Sequence, residues 1–364
     1  MAALSDPRTW PQVVATMQGF PLPQLVFCRE VSIVSRPAGA PDDEHHPDLV
    51  IMGDGRTFYL QRKVVESLFG AVFHGIQGHC FNPNNPSTFR LPQRQEDEFH
   101  VAVKRSCLER MRRAPHENIF REISVMRYLA AGTQQAGGHQ FVMPLVEACM
   151  SRTHLYVVTP LCGGGDLLKM VTPGEGTGEA NARKWFRQIL LGLAYVHSRC
   201  LCHHDVSPEN VVVTRTGDAA VVMDFGMVKR MPTGPTGEVE LTTDPQRFGK
   251  LRYMAPEIFR EQEYDGRQID IWSLAVTFLV CLLGDYPWVA PTRLPSRALE
   301  IFISDIYRFV DLEDHGARVM LQGLNLTSRV SPAAIDLLCE MLVVDRNHRP
   351  SSAEALAQHP FFTS

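Results

Sequence analysis

The sequence predicts an α+β protein with two lobes, in which a β-rich first part precedes a mainly helical second part. A chain of 364 residues exceeds what one small hydrophobic core usually supports, so two lobes are expected. Residues 57–159 contain several short runs of apolar and β-branched side chains, whereas apolar residues beyond Gly163 recur at helical spacing. Strands that precede helices along the chain are typical of the α+β class.

Residues 1–54 are predicted to form a mostly irregular extension because prolines are frequent there. Proline removes a backbone donor and interrupts both helices and central strands. An acidic cluster, Asp42 to Glu44, lies in the same region. The exception is Leu25 to Val34, which is expected to form a short strand that packs on the rest of the protein.

The domain that follows is expected to begin at residue 55 with a hairpin. Apolar and β-branched residues flank Gly70 between Thr57 and Phe73, and this pattern predicts two strands joined by a turn. His79 to Glu98 is rich in Pro, Asn and Gln and is interpreted as a surface insertion. A strand is predicted to resume at Val101 to Val103.

One helix is predicted within this β-rich part, over Glu117 to Ala130. Its apolar residues recur at helical spacing, as on the buried face of an amphipathic helix; they are Ile119, Ile123, Met126 and Leu129. Gly132 to Gly138 is expected to be a loop, and Leu155 to Thr159 a buried strand. The boundary between the two lobes is expected near Pro160.

Helices are predicted to dominate residues 161–362. One long helix carries an apolar stripe made of Trp185, Phe186, Ile189, Leu190, Leu193 and Val196. Two short β-like runs, Val211 to Thr214 and Ala220 to Met223, precede a loop from Gly226 to Lys250. The longest apolar run, Ile269 to Leu283, is interpreted as a buried core helix because it is too short to span a bilayer and contains an aspartate.

Composition and charge exclude several classes of function. A formal net charge of −4 gives no indication of a basic face for nucleic acid, and no membrane span is expected. The nine cysteines are odd in number and lack the spacing of a disulfide framework. This favours a reduced intracellular compartment, cytoplasmic or nuclear.

Four short motifs occur in a fixed order along the chain. They are Val101-Ala102-Val103-Lys104, Cys202-His203-His204-Asp205-Val206-Ser207-Pro208-Glu209-Asn210, Asp224-Phe225-Gly226 and Ala255-Pro256-Glu257. A short match to any one of these motifs also occurs by chance in unrelated sequences, but the four in this order are specific for one family. From about Arg56 to Phe362 the chain resembles the eukaryotic protein kinase family. It resembles the serine/threonine type because Ser-Pro-Glu-Asn stands where tyrosine kinases typically carry Ala-Ala-Arg-Asn.

The resemblance implies a two-lobed protein kinase fold over residues 55–362. The N-lobe, about residues 55–160, would be β-rich with one key helix, and the C-lobe, about residues 161–362, would be mainly helical. The implied activity is transfer of the ATP γ-phosphate to a serine or threonine hydroxyl of a protein. ATP and a protein substrate are therefore the expected partners, and Mg²⁺ is the expected cofactor.

The resemblance also implies roles for catalytic and metal-binding residues. Asp205 matches the catalytic base that accepts the substrate hydroxyl proton. Lys104 matches the lysine that contacts the α- and β-phosphates, and Glu122 matches its ion-pair partner. Asn210 and Asp224 match the metal ligands, whose hard oxygen atoms suit Mg²⁺.

Further matches concern the nucleotide pocket and its scaffold. Besides Lys104, the residues expected to contact the nucleotide are Gly70, Val72, Ala102, Val212, the gatekeeper Thr159 and the hinge residues Pro160 and Cys162. Asp270 is expected to hold the catalytic loop through backbone hydrogen bonds. Arg349 is expected to pair with Glu257.

Two departures from the family pattern leave an alternative function open. Val65 and Ser67 replace two glycines of the phosphate-binding loop, where glycine allows close backbone approach. His204 replaces an arginine that usually binds a phosphorylated activation loop, so activity is not expected to depend strongly on such phosphorylation. The alternative is a pseudokinase that acts as an ATP-binding or protein-binding scaffold.

A third departure is a double exchange. Serine/threonine kinases usually carry a lysine at the position of Ser207 and a threonine at the position of Lys250. In the family these two side chains meet beside the catalytic aspartate. We therefore hypothesise that Lys250 replaces the missing lysine and takes part in catalysis.

Overall fold

A computed structural model describes the chain over most of its length. The described residues are 17, 19–31, 49–52, 54–82, 84–92, 99–113, 118–131, 138–243, 249–260, 262–287 and 317–363. They form two compact units. The first contains the described residues up to Gly138 together with Met143–Cys162, and the second contains His139–Val142 and the described residues from Gly163 onward. The first unit is rich in strands and the second is mainly helical, as the α+β prediction requires.

Eight strands and two α-helices form the described part of the first unit. The strands are β1 (Val26–Val31), β2 (Leu49–Met52), β3 (Arg56–Ser67), β4 (Gly70–Cys80), β5 (Phe89–Arg90), β6 (His100–Cys107), β7 (Glu147–Met150) and β8 (His154–Pro160), and the helices are α1 (Leu108–Arg113) and α2 (Ile119–Ala130). The hairpin of β3 and β4 and the helix α2 confirm the predicted elements. The side chain of Asn118 caps α2 by accepting a hydrogen bond from the backbone N–H of Arg121. The predicted start of this helix, Glu117, lies outside the described residues.

The strands of the first unit close into a ring. The pairing order β3-β2-β1-β7-β8-β6-β4 is closed by direct pairing of β3 with β4, and β5 pairs with the end of β4. Every strand of the ring contributes to one cluster of buried side chains, which comprises Cys28, Val50, Met52, Phe58, Leu60, Ala71, Phe73, Val101, Val103, Cys149, Tyr156 and Val158. The closed sheet therefore encloses its own core.

Residues 1–54 contain more regular structure than the sequence predicts. β1 confirms the strand expected between Leu25 and Val34, but β2 was not expected. All four residues of β2 are buried, so a continuous apolar run outweighs the proline content of the segment. The rest of the predicted irregular extension, at residues 1–16, 18, 32–48 and 53, lies outside the described residues.

The predicted surface insertion, His79 to Glu98, is also partly regular. β4 extends to Cys80, and the chain returns as β5 to pair with it. Residues 93–98, at the end of this insertion, lie outside the described residues. The same is true of residues 132–137, in the predicted loop after α2.

A carboxylate near the end of β1 joins this strand to β8 and to the turn that precedes β8. Oε1 of Glu30 accepts hydrogen bonds from the Tyr156 hydroxyl at 2.6 Å, from His154 Nδ1 at 3.0 Å, and from the Ser151 hydroxyl. Burial acts to raise the pKa of Glu30, but the hydrogen bonds from His154, Ser151 and Tyr156 outweigh it and lower this pKa to about 2.

We predict that Glu30→Gln lowers the free energy of unfolding by about 1–2 kcal/mol at pH 7, because it removes charge-assisted hydrogen bonds. The folded-state pKa of Glu30 lies below the ordinary value of 4.5, so its stabilisation is complete above that pH. This stabilisation is lost as the pH falls toward 2. Denaturant unfolding of the native chain and of Glu30→Gln should therefore show a difference in free energy of unfolding at pH 7, and this difference should narrow below pH 4.5. The control is Glu66→Gln, whose carboxylate is exposed on β3; a pH-independent difference for Glu30→Gln would contradict the assignment.

The second unit contains five short strands and seven α-helices among its described residues. The strands are β9 (Gly165–Asp166), β10 (Leu201–Cys202), β11 (Val211–Val213), β12 (Ala220–Val222) and β13 (Lys229–Arg230), and the helices are α3 (Glu179–Ser198), α4 (Pro256–Phe259), α5 (Gly266–Leu283), α6 (Ala317–Gly323), α7 (Pro332–Met341), α8 (Ala353–Leu356) and α9 (Pro360–Thr363). The two β-like runs predicted near residues 211 and 220 are confirmed as β11 and β12. The predicted loop from Gly226 to Lys250 is wrong at one place, because β13 pairs there with β10. Residues 244–248 of that loop lie outside the described residues.

Helix α5 is the core of the second unit. It begins at Gly266, before the apolar run that predicted it, and Asp270 within it is fully buried. By length and composition alone α5 would suffice to cross a membrane, but 94% of it is buried within the protein. The interpretation as a buried core helix is therefore confirmed by its burial and not by its length, because the helix extends beyond the apolar run to 18 residues.

A buried ion pair joins helix α4 to the loop between α7 and α8. The guanidinium of Arg349 donates to the two carboxylate oxygens of Glu257 at 2.6 and 3.1 Å, and both residues are almost completely buried. This bidentate pair is the one expected from the sequence. Both charges are removed from water, so each one needs the other to offset the free-energy cost of its desolvation.

We predict that Arg349→Met destabilises the fold by about 3–5 kcal/mol, since it leaves the Glu257 carboxylate buried without its cation. The matched control is Arg318→Met, which removes the pair between Arg318 and Asp336. That pair is about half exposed, so its loss should cost less than about 1 kcal/mol. Urea unfolding of the three chains tests the difference; equal losses for the two variants would contradict the buried pairing.

Candidate active site

The first unit contributes an ion pair between the sheet and its helix. Nζ of Lys104, on β6, donates to Oε2 of Glu122, on α2, at 2.9 Å. The Glu122 side chain is only 10% exposed, whereas that of Lys104 is 26% exposed. The predicted ion pair is therefore present, and the lysine retains access to solvent for a further anionic partner.

Four of the predicted nucleotide-binding residues share one face of the sheet. Val72 lies directly opposite Lys104 in the pairing of β4 with β6, and Ala102 lies directly opposite Thr159 in the pairing of β6 with β8. Directly opposite residues point to the same face, as do residues two apart on one strand. Because Val103 belongs to the enclosed core, these four residues lie on the outer face.

The other predicted residues of the first unit lie at the ends of strands. Pro160 ends β8, and Cys162 follows it with a half-buried thiol. Gly70 begins β4 opposite Ser67, and a Cβ atom there would lie 2.2 Å from the carbonyl oxygen of Arg105. The close packing of β4 against β6 thus requires a glycine at this position, independently of its predicted contact with a nucleotide.

The hairpin forms without the two other glycines of the family pattern. Val65 pairs with Val72 on the facing strand, and its side chain is 50% exposed. Leu68, in the turn, is 62% exposed. Val65 is thus an apolar, half-exposed residue where the family has a glycine, and Leu68 adds a second exposed apolar side chain at the turn.

In the second unit, Asp270 holds the loop that follows β10. Its carboxylate accepts hydrogen bonds from the backbone N–H groups of His203 at 2.7 Å and His204 at 2.8 Å, as predicted. Nε2 of His197, on α3, lies 2.9 Å from the same carboxylate and is the donor, since a carboxylate only accepts. Burial acts to raise the pKa of Asp270, but the hydrogen bond from His197 and the electrostatic interactions with the neighbouring histidines lower it.

His197 is a residue that the sequence analysis missed. It lies in the last turn of α3, and no motif includes it. Only the packing of α3 against α5 makes it a partner of Asp270, so no local pattern indicated its importance.

The carboxylate of Asp205 is held from two sides. Nδ2 of Asn210 donates to Oδ2 and to the backbone oxygen of Asp205, both at 2.7 Å. The backbone N–H of Lys250 donates to Oδ1 at 3.1 Å. Burial raises the pKa of Asp205 above its ordinary value, although Lys250 and Asn210 act in the opposite direction. A carboxylate with a raised pKa is a better proton acceptor than an ordinary aspartate.

Asp224 lies two residues after the end of β12, in a strained backbone conformation. Its φ of +63° is in the left-handed region, which is uncommon for residues other than glycine. Its Oδ1 accepts a hydrogen bond from the N–H of Gly226 at 3.3 Å. The preceding residue, Met223, donates its N–H to the carbonyl of Asn210 at 2.9 Å. This bond brings the segments of the two predicted metal ligands together, and Val212 lies between them in the sequence, on β11.

His203 links the same two segments. Its Nδ1 accepts from the N–H of Asp205 at 3.3 Å, so Nε2 carries the proton and donates to the carbonyl of Met223 at 3.0 Å. Its ring centroid lies 5.5 Å from that of Phe225.

Lys250 and Ser207 meet beside Asp205, as hypothesised. Nζ of Lys250 donates to the hydroxyl of Ser207 at 2.6 Å and lies 3.9 Å from Oδ2 of Asp205 and 3.7 Å from Oε1 of Glu209. The approach depends on Gly249, where a Cβ atom would lie 2.5 Å from the carbonyl oxygen of His204 and where φ is +80°. A larger residue there would push Lys250 away from the loop.

His204 is buried rather than directed at the activation loop. Its Nε2 lies 3.1 Å from Sγ of Cys202, and its ring lies 5.6 Å from that of Tyr264. The backbone of Tyr264 exchanges two hydrogen bonds with that of Thr242, which joins this part of the loop to the segment that precedes α5. The described residues contain no group of three or more His, Cys, Asp or Glu suited to a metal. Within them, the contact between Cys202 and His204 is therefore not part of such a metal-binding group.

Comparison with known proteins gives one family. The model of the protein kinase domain matches residues 87–362. Among curated relatives, the serine/threonine-protein kinase SAPK4 of Oryza sativa subsp. japonica is 32% identical over 55% of this chain and 51% of its own length. The serine/threonine-protein kinase SRK2H of Arabidopsis thaliana is 32% identical over 56% of this chain and 51% of its own. The SNF-related serine/threonine-protein kinase of Rattus norvegicus is 29% identical over 67% of this chain and 28% of its own. The chain thus spans about half or less of the length of these relatives.

Proposed function

The chain belongs to the protein kinase family, and on that premise we propose that it transfers the γ-phosphate of ATP to serine or threonine hydroxyls of a protein. The observation that carries this proposal is the environment of Asp205. Its carboxylate is oriented by Asn210 and by the Lys250 backbone, and burial raises its pKa. Matched relatives bear the name of serine/threonine kinases, which supports the same class of acceptor. We propose the two-lobed arrangement of the family for residues 55–362, with residues 1–54 as an N-terminal extension.

In the proposed reaction, Asp205 accepts the proton of the substrate hydroxyl as its oxygen attacks the γ-phosphorus. The bond from that phosphorus to the β,γ-bridging oxygen breaks, and ADP leaves. Lys104, oriented by Glu122, would bind the α- and β-phosphates. Val72, Ala102, Thr159 and Val212 would contact the adenine, with backbone groups of Pro160 and Cys162 as its hydrogen-bonding partners.

The residues present suit a magnesium ion. The amide nitrogen of Asn210 is used by Asp205, so the amide oxygen is the end suited to a cation. Asp224 adds a carboxylate from the neighbouring segment. Two hard oxygen donors that leave most positions to water and phosphate are typical of Mg²⁺ sites. The ion would neutralise charge on the transferred phosphate.

An intracellular location remains part of the proposal. All nine cysteines are free thiols, and this supports a reduced compartment, cytoplasmic or nuclear.

We predict that the chain phosphorylates serine and threonine peptides with Mg²⁺ and ATP, and that Asp205→Asn lowers kcat at least about a hundredfold, because the general base is lost. The measurement is phosphate transfer to a mixed panel of serine, threonine and tyrosine peptides. The matched control is Asp218→Asn, at an exposed position of the β11–β12 turn, and it should retain full activity.

The alternative function, a scaffold, is favoured by Val65 and Ser67 in the hairpin. Saturable binding of ATP without transfer in either the native chain or Asp205→Asn would overturn the kinase proposal in its favour. Transfer to tyrosine alone would overturn the choice of substrate class.

We further propose that Lys250 is a catalytic residue that stabilises charge on the γ-phosphate. Lys250→Ala should lower kcat by about a hundredfold, because a preorganised cation beside the reacting group is lost. Lys184→Ala, which removes an exposed lysine from α3, is the control and should change kcat less than about twofold.

A swap tests the exchange directly. Lys250→Thr alone should have a lower kcat than the native chain. Adding Ser207→Lys should raise that kcat at least about tenfold, because the loop after Asp205 then supplies the ammonium group. Equal activity of Lys250→Ala and the native chain would show that the lysine is dispensable. A double variant no better than Lys250→Thr would contradict the proposed equivalence of the two positions.

A further inference from the structure

A segment near the N-terminus packs against helix α2. We call Met17 and Gly19–Leu25 the strap. The hydroxyl of Ser124 donates to the carbonyl of Pro21 at 2.7 Å, and the guanidinium of Arg127 donates to the carbonyl of Gln24. Both bonds run from side chains of α2 to the backbone of the strap, so the strap follows the helix along its length.

Apolar side chains of the strap complete this contact. Met17 and Phe20 are each 4% exposed. The ring of Phe20 meets that of Tyr128 edge-on, with 6.2 Å between centroids, and Nδ2 of Asn118 lies 3.4 Å from Sδ of Met17. The strap thus contacts both the capping residue and the last turn of α2.

The contacts lie on the side of α2 away from Glu122. Successive residues of an α-helix are rotated by about 100°. Ser124, Arg127 and Tyr128 are two, five and six positions after Glu122, so they lie about 200°, 140° and 240° around the axis from it. Glu122 is directed to Lys104 on the sheet, so the strap supports the opposite side of the helix.

Burial of α2 agrees with this arrangement. Ser124, on the side away from the sheet, is only 7% exposed. A buried hydroxyl needs a hydrogen-bond partner, and the carbonyl of Pro21 supplies it. A surface helix would leave such a serine in water, so here the strap replaces solvent.

The strap is anchored at one end. It continues directly into β1, which pairs with β2 and β7 and carries Glu30. It therefore ends in the closed ring, which holds it next to the helix. The strap precedes residues 87–362, which match the family, whereas α2 lies within them.

We infer that the strap positions α2 and thereby holds Glu122 in contact with Lys104, with Phe20 and Ser124 as positioning residues. As a statement about catalysis the inference depends on the proposed kinase function. Loss of the strap contacts would let α2 move away from the sheet, which would separate the ion pair and misplace the lysine for the phosphates.

The test uses Phe20→Ala and Ser124→Ala in the full chain, with two readouts. Hydrogen exchange should become faster at the amides of α2 relative to those of β6, without any need for activity. The kcat/KM for ATP should fall by about tenfold for Phe20→Ala, and Phe20→Leu should recover most of it. Phe27→Ala, at a 58% exposed position of β1, is the matched control and should change neither quantity.

A double-mutant cycle separates positioning from general destabilisation. If Phe20 acts through Glu122, then Phe20→Ala should lower activity less than about twofold when Glu122→Gln is already present. An equal loss in both backgrounds, or unchanged exchange of α2 in both strap variants, would overturn the inference. Should Phe20→Ala fail to fold, Ser124→Ala decides by the same readouts, since it creates little cavity. Absence of phosphate transfer in the native chain would refute only the proposed function, and the exchange experiment would still decide on the strap.

Discussion

The buried carboxylate of Asp270 is the constraint on which the second unit depends. A fully buried charge is tolerated only when its oxygens are hydrogen-bonded, and Asp270 obtains two backbone N–H groups and the ring of His197. Those N–H groups belong to His203 and His204, which directly precede Asp205. The need to satisfy one buried aspartate in a core helix thus determines where the loop of the proposed catalytic base lies.

The remaining contacts of Asp205 follow from this anchored loop. Asn210 closes it with two bonds from one amide nitrogen. Gly249 lets the end of the loop from Gly226 to Lys250 approach so closely that Lys250 reaches both Asp205 and Ser207. The exchange of lysine and hydroxyl therefore preserves a positive charge next to the carboxylate. Ser207 alone would remove a positive charge from the site, but together with Lys250 it leaves the charge in place.

Much of this site was predictable because it is local in sequence. The loop that contains Asp205 and Asn210, and the ion pair between a strand lysine and a helix glutamate, depend on short spacings that the motifs specify. The closed ring was not predictable in the same way, since pairing of β1 with β7 joins residues more than a hundred positions apart. β2 was missed because four apolar residues are a weak pattern beside many prolines, and His197 was missed because only helix packing gives it a partner.

The sequence by itself determined the α+β class, the order of most elements and the identity of the candidate catalytic residues, because periodicity and motif spacing are properties of the chain. Tertiary structure alone decided which side chains meet across long separations. It placed the strap on α2, the Glu30 carboxylate next to the donors of β8 and of the turn before it, and Gly70 against Arg105. Such contacts depend on the packing of surfaces that are distant along the chain, and no local pattern specifies which surfaces will meet.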